Sequence, residues 1–244
     1  MTFTNPTLAK LRRGEAASCV WLSLGSVALA EIAAEQGPDA VVLDGQHGLW
    51  DVASSHAAFA AIAPHATPLV RVAANTGHAI GSALDAGAQG VIVPLIDTAD
   101  EAAAAVAAAR FPPVGNRSGG GVRPLRDFPA YVAACDTQTL VSVMIETRAG
   151  LDNAAAIAAV PGIDLIFIGP GDLGLALGDP AALEPAVVAI LAAARAAGVP
   201  CGIFTGDADA ARRRIAQGFA FVVAAEDIGL TRRGIAAALT GTHA

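Results

Sequence analysis

The sequence is poor in the features that would tie it to disulfides, nucleic acid or a membrane. It has three cysteines without a CxxC spacing, which indicates neither a disulfide framework nor a zinc site. The net charge of −7 argues against a nucleic-acid-binding surface. No apolar run reaches the roughly 18 residues of a membrane span, and the N-terminus does not resemble a secretory signal. We therefore expect a cytoplasmic protein with neither nucleic-acid nor membrane partners.

What the sequence does contain is a regular alternation of short apolar strands and helices. Most of the strand segments are continuous apolar runs, as expected for a parallel sheet that is covered on both faces. Several helices begin at clear capping residues, such as Thr98 with Glu101 three positions later. The predicted strands span residues 18–24, 40–46, 68–72, 90–96, 140–146, 164–168, 200–205 and 220–225.

Eight strands alternating with helices predict a closed (β/α)8 TIM barrel, and 244 residues suffice for one. We expect one domain over residues 1–244, with a short helix from Asn5-Pro6 ahead of the first strand. A doubly wound open sheet is the competing fold, but the first strand lacks the glycine-rich fingerprint that often follows it there. Residues 111–138 interrupt the alternation, and a loop of this length often carries function.

Polar residues fall where the predicted strands end, which is where barrel enzymes place their reacting groups. Asp44 and Gln46 are two residues apart and would share one face of the second strand. The residues at these strand ends are Asp44, Gln46, His47, Arg71, Glu146 and Asp172. Their coincidence on four strands is the main argument from the residues for an enzyme.

Glu146 and Asp172 are candidate ligands of a metal ion. Two carboxylates without histidine or thiolate suit Mg²⁺ or Mn²⁺, with open positions left for water or substrate. Each also has a structural alternative. Glu146 could act near the N-terminus of the next helix, and Asp172 could cap a turn in its glycine-containing segment.

Arg71 and His47 are candidate catalytic residues. A guanidinium at a buried strand end needs an anionic partner, which could be a substrate oxygen or, as a structural salt bridge, Asp44. His47, between two glycines, could be a general base or an exposed loop residue. Trp21 on the first strand could fill the barrel core or form a wall of the substrate pocket.

Several segments, in the same order along essentially the whole chain, resemble the HpcH/HpaI aldolases. These are metal-dependent class II pyruvate aldolases of the phosphoenolpyruvate/pyruvate barrel superfamily. The most specific segment is Phe167-Ile-Gly-Pro-Gly-Asp-Leu173. The others are Asp44-Gly-Gln-His47, Val70-Arg-Val72, Leu84-Asp-Ala-Gly-Ala88, Val93-Pro94, Pro112-Pro113-Val-Gly-Asn-Arg117 and Ile145-Glu-Thr147.

The resemblance implies roles for individual residues. Glu146 and Asp172 would hold a divalent ion, Mg²⁺, Mn²⁺ or Co²⁺, with no organic cofactor. His47 and Asp85 would transfer protons, and Arg71 would stabilise the enolate oxygen. The amides of Gly171 and Asp172 would receive the ketoacid carboxylate, in a pocket that also includes Asp44, Gln46 and Trp21. The family commonly forms trimers or hexamers with an exchanged C-terminal helix.

The chain departs from the family pattern at two positions. Many members have Glu where this chain has Gln46, and a neutral amide cannot act as a base. Some relatives carry Gln where this chain has Met144, which removes a polar contact.

The implied reaction is reversible aldol addition of pyruvate or hydroxypyruvate to an aldehyde, with cleavage of 4-hydroxy-2-oxoacids in reverse. A metal-bound 2-oxoacid loses a C3 proton to form an enolate, which suits Lewis-acid catalysis. The only lysine, Lys10, is far in sequence from every strand end, which argues against a Schiff-base aldolase. The alternatives are a CoA-ester lyase of the same superfamily and a barrel that only binds a small acid.

Overall fold

Eight parallel strands form a closed barrel in the computed structural model, which describes residues 3–240. Each strand pairs with the next along the chain, and the last pairs with the first. The prediction of a (β/α)8 barrel is therefore confirmed. The strands are β1 (Ala17–Leu22), β2 (Ala40–Asp44), β3 (Thr67–Arg71), β4 (Gly90–Val93), β5 (Leu140–Ile145), β6 (Leu165–Ile168), β7 (Cys201–Ile203) and β8 (Phe221–Glu226).

A short helix precedes the barrel, and helices follow every strand. Several begin at the predicted capping residues, including Thr98 with Glu101. The helices are α1 (Pro6–Arg12), α2 (Val27–Glu35), α3 (Val52–Ile62), α4 (Gly77–Ala86), α5 (Ala99–Ala109), α6 (Phe128–Gln138), α7 (Arg148–Asp152), α8 (Ala154–Ala158), α9 (Pro170–Leu177), α10 (Pro180–Ala196), α11 (Ala208–Ala216) and α12 (Asp227–Leu239).

The apolar residues form two packed layers. One fills the barrel interior, where Trp21, Phe167 and Phe221 are buried and their rings contact one another in series. The other lies between the strands and the surrounding helices. Because strand residues alternate between these layers, almost every strand position is buried, which explains the continuous apolar runs in the sequence.

Several strands end earlier than the sequence predicts. β1 ends at Leu22, β2 at Asp44 and β4 at Val93, which is two or three residues short of the predicted bounds. Gln46 therefore lies in a turn and does not share a strand face with Asp44, so that prediction was wrong. The reason is local: the Asp44 carboxylate accepts the backbone amides of Gln46 and His47, which turns the chain away from the sheet.

The long segment after α5 contains a 3-10 turn at Pro124–Arg126 and then α6, which begins after its N-cap Asp127. A short helix near this position was predicted. None of the helices among residues 3–240 is long and apolar enough to cross a membrane. The expectation of a single domain over all 244 residues stays a prediction.

Candidate active site

Asp44 and Arg71 form a buried ion pair at the carboxyl ends of neighbouring strands. They are register partners on β2 and β3, so their side chains project in the same direction. Arg71 donates from Nε to Oδ1 at 2.9 Å and from Nη2 to Oδ2 at 2.6 Å. The side chain of Arg71 is 10% exposed and that of Asp44 is 4% exposed. The salt bridge considered as an alternative for Arg71 is thus present, and it fixes the orientation of the guanidinium.

The Asp44 carboxylate also organises the residues around it. It accepts the amides of Gln46 and His47 on Oδ1, and Oδ2 lies 3.3 Å from both Nε1 of Trp21 and Oγ of Ser23. Burial alone would raise the pKa of Asp44, but the hydrogen bonds and charge of Arg71 outweigh it, so the pKa is lowered. Asp44 is therefore a structural anion that stays charged.

Trp21 lies inside the barrel and contacts the ion pair. It is 3% exposed, stacks on Phe167 at 5.7 Å between ring centroids and meets Phe204 edge-on at 5.4 Å. The Arg71 guanidinium carbon is 5.2 Å from its ring centroid. The aromatic face and the Asp44 carboxylate together hold Arg71 in one position.

Glu146 and Asp172 face each other at the same end of the barrel. Glu146 is 1% exposed; its Oε1 accepts the amide of Leu95 at 2.9 Å, and its Oε2 has no partner within residues 3–240. Burial raises the pKa of Glu146, the Leu95 amide opposes this, and the charge of Asp172 raises it further. The charge of Arg71 also acts on Glu146, which places all three groups at one barrel mouth.

This pair has the properties of an incomplete cation site. Glu146 is buried, has one unpartnered oxygen and faces a second carboxylate, so its charge is disfavoured, and a divalent cation would reverse this. No cluster of three or more His, Cys, Asp or Glu side chains suitable for a metal occurs in the described part of the chain. An oxygen-preferring ion bound between Glu146 and Asp172 would thus have two carboxylate ligands, and water or substrate would have to complete its coordination.

Two glycines shape the approach to this pair. A Cβ atom at Gly169 would overlap Oε2 of Glu146 and the methyl group of Met144, so any larger residue there would force these two buried side chains to shift. Gly169 also precedes α9 without a capping side chain, and Gly171 has open space around it. The first amides of α9, near Gly171 and Asp172, are thus open to an anionic group.

His47 and Gln46 lie in the turn after β2. His47 is exposed at the mouth, and its amide is held by Asp44 at 3.2 Å. Oε1 of Gln46 is buried and has no hydrogen-bond partner among the described residues. The structure thus brings His47 and Gln46 beside the Asp44–Arg71 pair.

Asp85 lies away from the other candidate residues of the barrel mouth in this chain. It lies near the end of α4 and accepts a hydrogen bond from Nη2 of Arg117 at 2.7 Å. The groove that it lines with His78 and Asn116 contains none of the other candidate residues. Its role in proton transfer stays a prediction.

The sequence analysis did not identify two supporting residues. Leu95 adopts a positive φ of 55°, which directs its amide at Glu146. Asp227, which reads as a simple helix cap, is buried and accepts the amides of Ser23 and Leu24 with its carboxylate. The roles of these residues depend on a backbone conformation, for Leu95, and on contacts between the two ends of the chain, for Asp227. Neither feature leaves a pattern in the sequence.

A closed parallel barrel with carboxylates, a guanidinium and an imidazole at the carboxyl ends of its strands has the arrangement of a (β/α)8 barrel enzyme. The sequence model of the HpcH/HpaI aldolase/citrate lyase family matches residues 17–233. The chain belongs to this family, as the sequence motifs predicted.

Individual relatives agree with this assignment. The chain is 40% identical to a 4-hydroxy-2-oxovalerate aldolase of Rhodococcus jostii (strain RHA1), over 86% of this chain and 85% of the relative. It is 37% identical to a hydroxypyruvate/pyruvate aldolase of Paraburkholderia phytofirmans, over 93% of both chains. A solved aldolase/citrate lyase family protein from Burkholderia cenocepacia J2315 superposes with a TM-score of 0.93 at 35% identity, covering 99% of this chain and 100% of that one.

Proposed function

We propose that this protein is a divalent-metal-dependent class II aldolase that joins pyruvate or hydroxypyruvate to an aldehyde and cleaves 4-hydroxy-2-oxoacids in reverse. The observation that carries the proposal is the mouth of the barrel. There, the facing carboxylates of Glu146 and Asp172 lie within electrostatic reach of an Arg71 that Asp44 holds in place. The names of the curated relatives support the same reaction class.

Glu146 and Asp172 would hold the ion, which when bound would supply Lewis-acid polarisation of the 2-oxoacid. Arg71 would donate hydrogen bonds to the oxygen on which negative charge develops. Its bidentate pairing with Asp44 prepares it for this role, because the guanidinium needs no reorientation. The open amides near Gly171 would bind the substrate carboxylate.

His47 is the proposed proton-transfer residue. It is exposed at the mouth, and its position follows from the backbone hydrogen bond to Asp44. The adjacent Gln46 cannot act as a base, but its buried and unpartnered Oε1 could accept one hydrogen bond from water or substrate. Gln46 is therefore expected to orient this water or substrate and not to transfer protons.

The test is release of pyruvate from 4-hydroxy-2-oxovalerate and related 4-hydroxy-2-oxoacids, measured with added Mg²⁺, Mn²⁺ or Co²⁺ and after treatment with chelator. We expect turnover only with metal. Asp172→Asn should abolish it, whereas Asp136→Asn, an exposed carboxylate on α6, should not. Full turnover in chelator would refute the metal dependence.

The same panel separates the alternatives. Cleavage of an acyl-CoA ester without activity on hydroxy-oxoacids would identify a CoA-ester lyase. Binding of pyruvate without turnover of any substrate, unchanged by Glu146→Gln, would identify a barrel that only binds small acids.

We also propose that the chain assembles into a trimer or hexamer. α12 projects apolar side chains into solvent, with Ile228, Leu230 and Ile235 between 40% and 57% exposed. An apolar helix face of this kind is suited to packing on a second copy. Sedimentation analysis should give a trimeric or hexameric mass, which Ile235→Lys should reduce.

A further inference from the structure

A large cavity lies at the opposite end of the barrel from the candidate active site. Asp39, Thr67 and Gln89 line it, and these residues stand at the amino ends of β2, β3 and β4. Its volume of about 910 Å³ falls in the range of pockets that hold small molecules. We call this cavity, which α1 and residues 123–131 also border, the basal pocket.

The basal pocket is locally basic in an acidic protein. Four basic side chains line it against two acidic ones, although the chain carries a net charge of −7. The basic residues are Lys10, Arg13, Arg123 and Arg126, and the acidic residues are Asp39 and Asp127. A concave surface with this charge excess attracts anions.

Ion pairs within the protein neutralise only part of the positive charge that lines the basal pocket. Lys10 pairs with Asp39 at 2.8 Å, and Arg13 pairs with Glu15. Asp127 accepts the amide of Ala130 as the N-cap of α6. Within residues 3–240, Arg123 and Arg126 form no ion pair with a carboxylate.

The geometry of Arg123 points to a missing acceptor. Its Nη2 donates to the backbone oxygen of His56 at 2.9 Å, but its Nε is buried and has no acceptor among the described residues. The side chain crosses Gly87, where a Cβ atom would block it. Partial burial lowers the pKa of Arg123, and the neighbouring charge of Arg126 lowers it further. An anion between the two guanidinium groups would relieve both effects.

Another part of the wall is apolar and aromatic. The rings of Phe3 and Tyr131 both line the pocket, with their centroids 4.8 Å apart. Pro6, Pro38 and Pro64 add further apolar surface. The pocket therefore offers a carbon-contacting wall beside its charged groups, which suits an organic anion better than a bare inorganic ion.

We propose that the basal pocket binds a small organic anion with two or more phosphate or carboxylate groups, held by Arg123 and Arg126 through charge-assisted hydrogen bonds. This site is separate from the barrel mouth, and the proposal does not depend on the aldolase reaction. Phosphate and carboxylate each present a pair of oxygens that a guanidinium group can bind with two parallel hydrogen bonds.

The test is isothermal titration of fructose 1,6-bisphosphate and of citrate into the full chain without added metal. We expect saturable binding of at least one of them at one site per chain. Arg126→Gln should weaken it about tenfold, since a hydrogen bond to a charged group contributes about 1.5 kcal/mol. Arg126 is exposed and its side chain makes no hydrogen bond within residues 3–240, so this change should leave the fold intact. Arg123→Lys should also weaken binding.

Arg213→Gln is the matched control, because Arg213 is an equally exposed arginine on α11, away from the pocket. Equal weakening by both glutamine variants would show only diffuse attraction and would overturn the proposal. So would the absence of saturable binding of either anion to the unaltered chain. A change in oligomeric mass in Arg126→Gln, with unchanged anion binding, would instead make the pocket an interface between copies. Tighter binding of fructose 1,6-bisphosphate would assign the anionic groups of the ligand as phosphates, and tighter binding of citrate would assign them as carboxylates.

Discussion

The Asp44–Arg71 pair gives the most direct test of how the mouth is built. Asp44→Asn keeps the shape of the side chain but leaves Arg71 as a buried cation without its counter-charge. Breaking a buried pair in this way costs about 3–5 kcal/mol. For a chain of this size each kcal/mol lowers the melting temperature by ~2–4 °C, so we expect a fall of ~6–20 °C.

A matched control is available on the surface. Arg214 pairs with Glu184 through two hydrogen bonds of 2.6 and 2.8 Å, which resemble those of Arg71 with Asp44. Glu184 is 53% exposed and Arg214 21%, so solvent screens this pair. Glu184→Gln should therefore cost no more than about 1 kcal/mol. Thermal unfolding of the two variants isolates the effect of burial, because the bonding geometry is similar.

The structure also predicts how the stability lost in Asp44→Asn depends on pH. The folded-state pKa of Asp44 is lowered, so its contribution is present above the unfolded-state pKa of about 3.9 and is lost as the pH falls through the folded-state value. The difference in melting temperature between the original chain and Asp44→Asn should thus be largest at neutral pH and decrease in acid. Equal melting temperatures of Asp44→Asn and Glu184→Gln at pH 7 would refute the reasoning.

Three further changes test the carboxylate pair. Glu146→Gln should abolish metal binding yet raise the melting temperature of the chelator-treated protein, because it removes a buried charge that faces Asp172; a lower melting temperature would contradict this. Gly169→Ala should destabilise the fold by about 1–3 kcal/mol through overlap with Glu146 and Met144, measured by denaturant unfolding. Leu95→Gly keeps the amide that Glu146 accepts and adopts the positive φ of this position without strain, so the metal affinity measured by calorimetry should be retained; a loss of affinity would contradict the role given to this amide.

The barrel was predictable because burial on both faces leaves a simple pattern. Strands such as Val41–Leu43 are apolar at every position, and polar residues occur only where burial stops. The same pattern located Arg71, Glu146 and Asp172, because a charged residue at the end of an apolar run has few structural roles. Strand ends were less predictable, since Asp44 turns the chain with its own side chain and no composition change marks that point.

Features that depend on distant segments could not be read from the sequence. Leu95 is an ordinary apolar residue whose positive φ is set by its surroundings, and only the fold shows that its amide meets Glu146. Arg123 and Arg126 belong to a loop that the sequence marks only as long. Their excess charge becomes visible when α1 and the amino ends of the strands close around them.

Asp44 and Glu146, the two buried carboxylates of the barrel mouth, differ in how the protein balances their negative charge. This difference distinguishes their roles. Asp44 has a guanidinium and two backbone amides, so its charge is stable in the protein alone. Glu146 accepts only one backbone amide, has an unpartnered oxygen and faces Asp172, so its charge is not stabilised by the protein alone. Environments that shift the pKa values of neighbouring acids apart assign them different functions. The fold supplies the counter-charge for Asp44 and gives Glu146 no ion-pair partner within residues 3–240, as the proposed cation site requires.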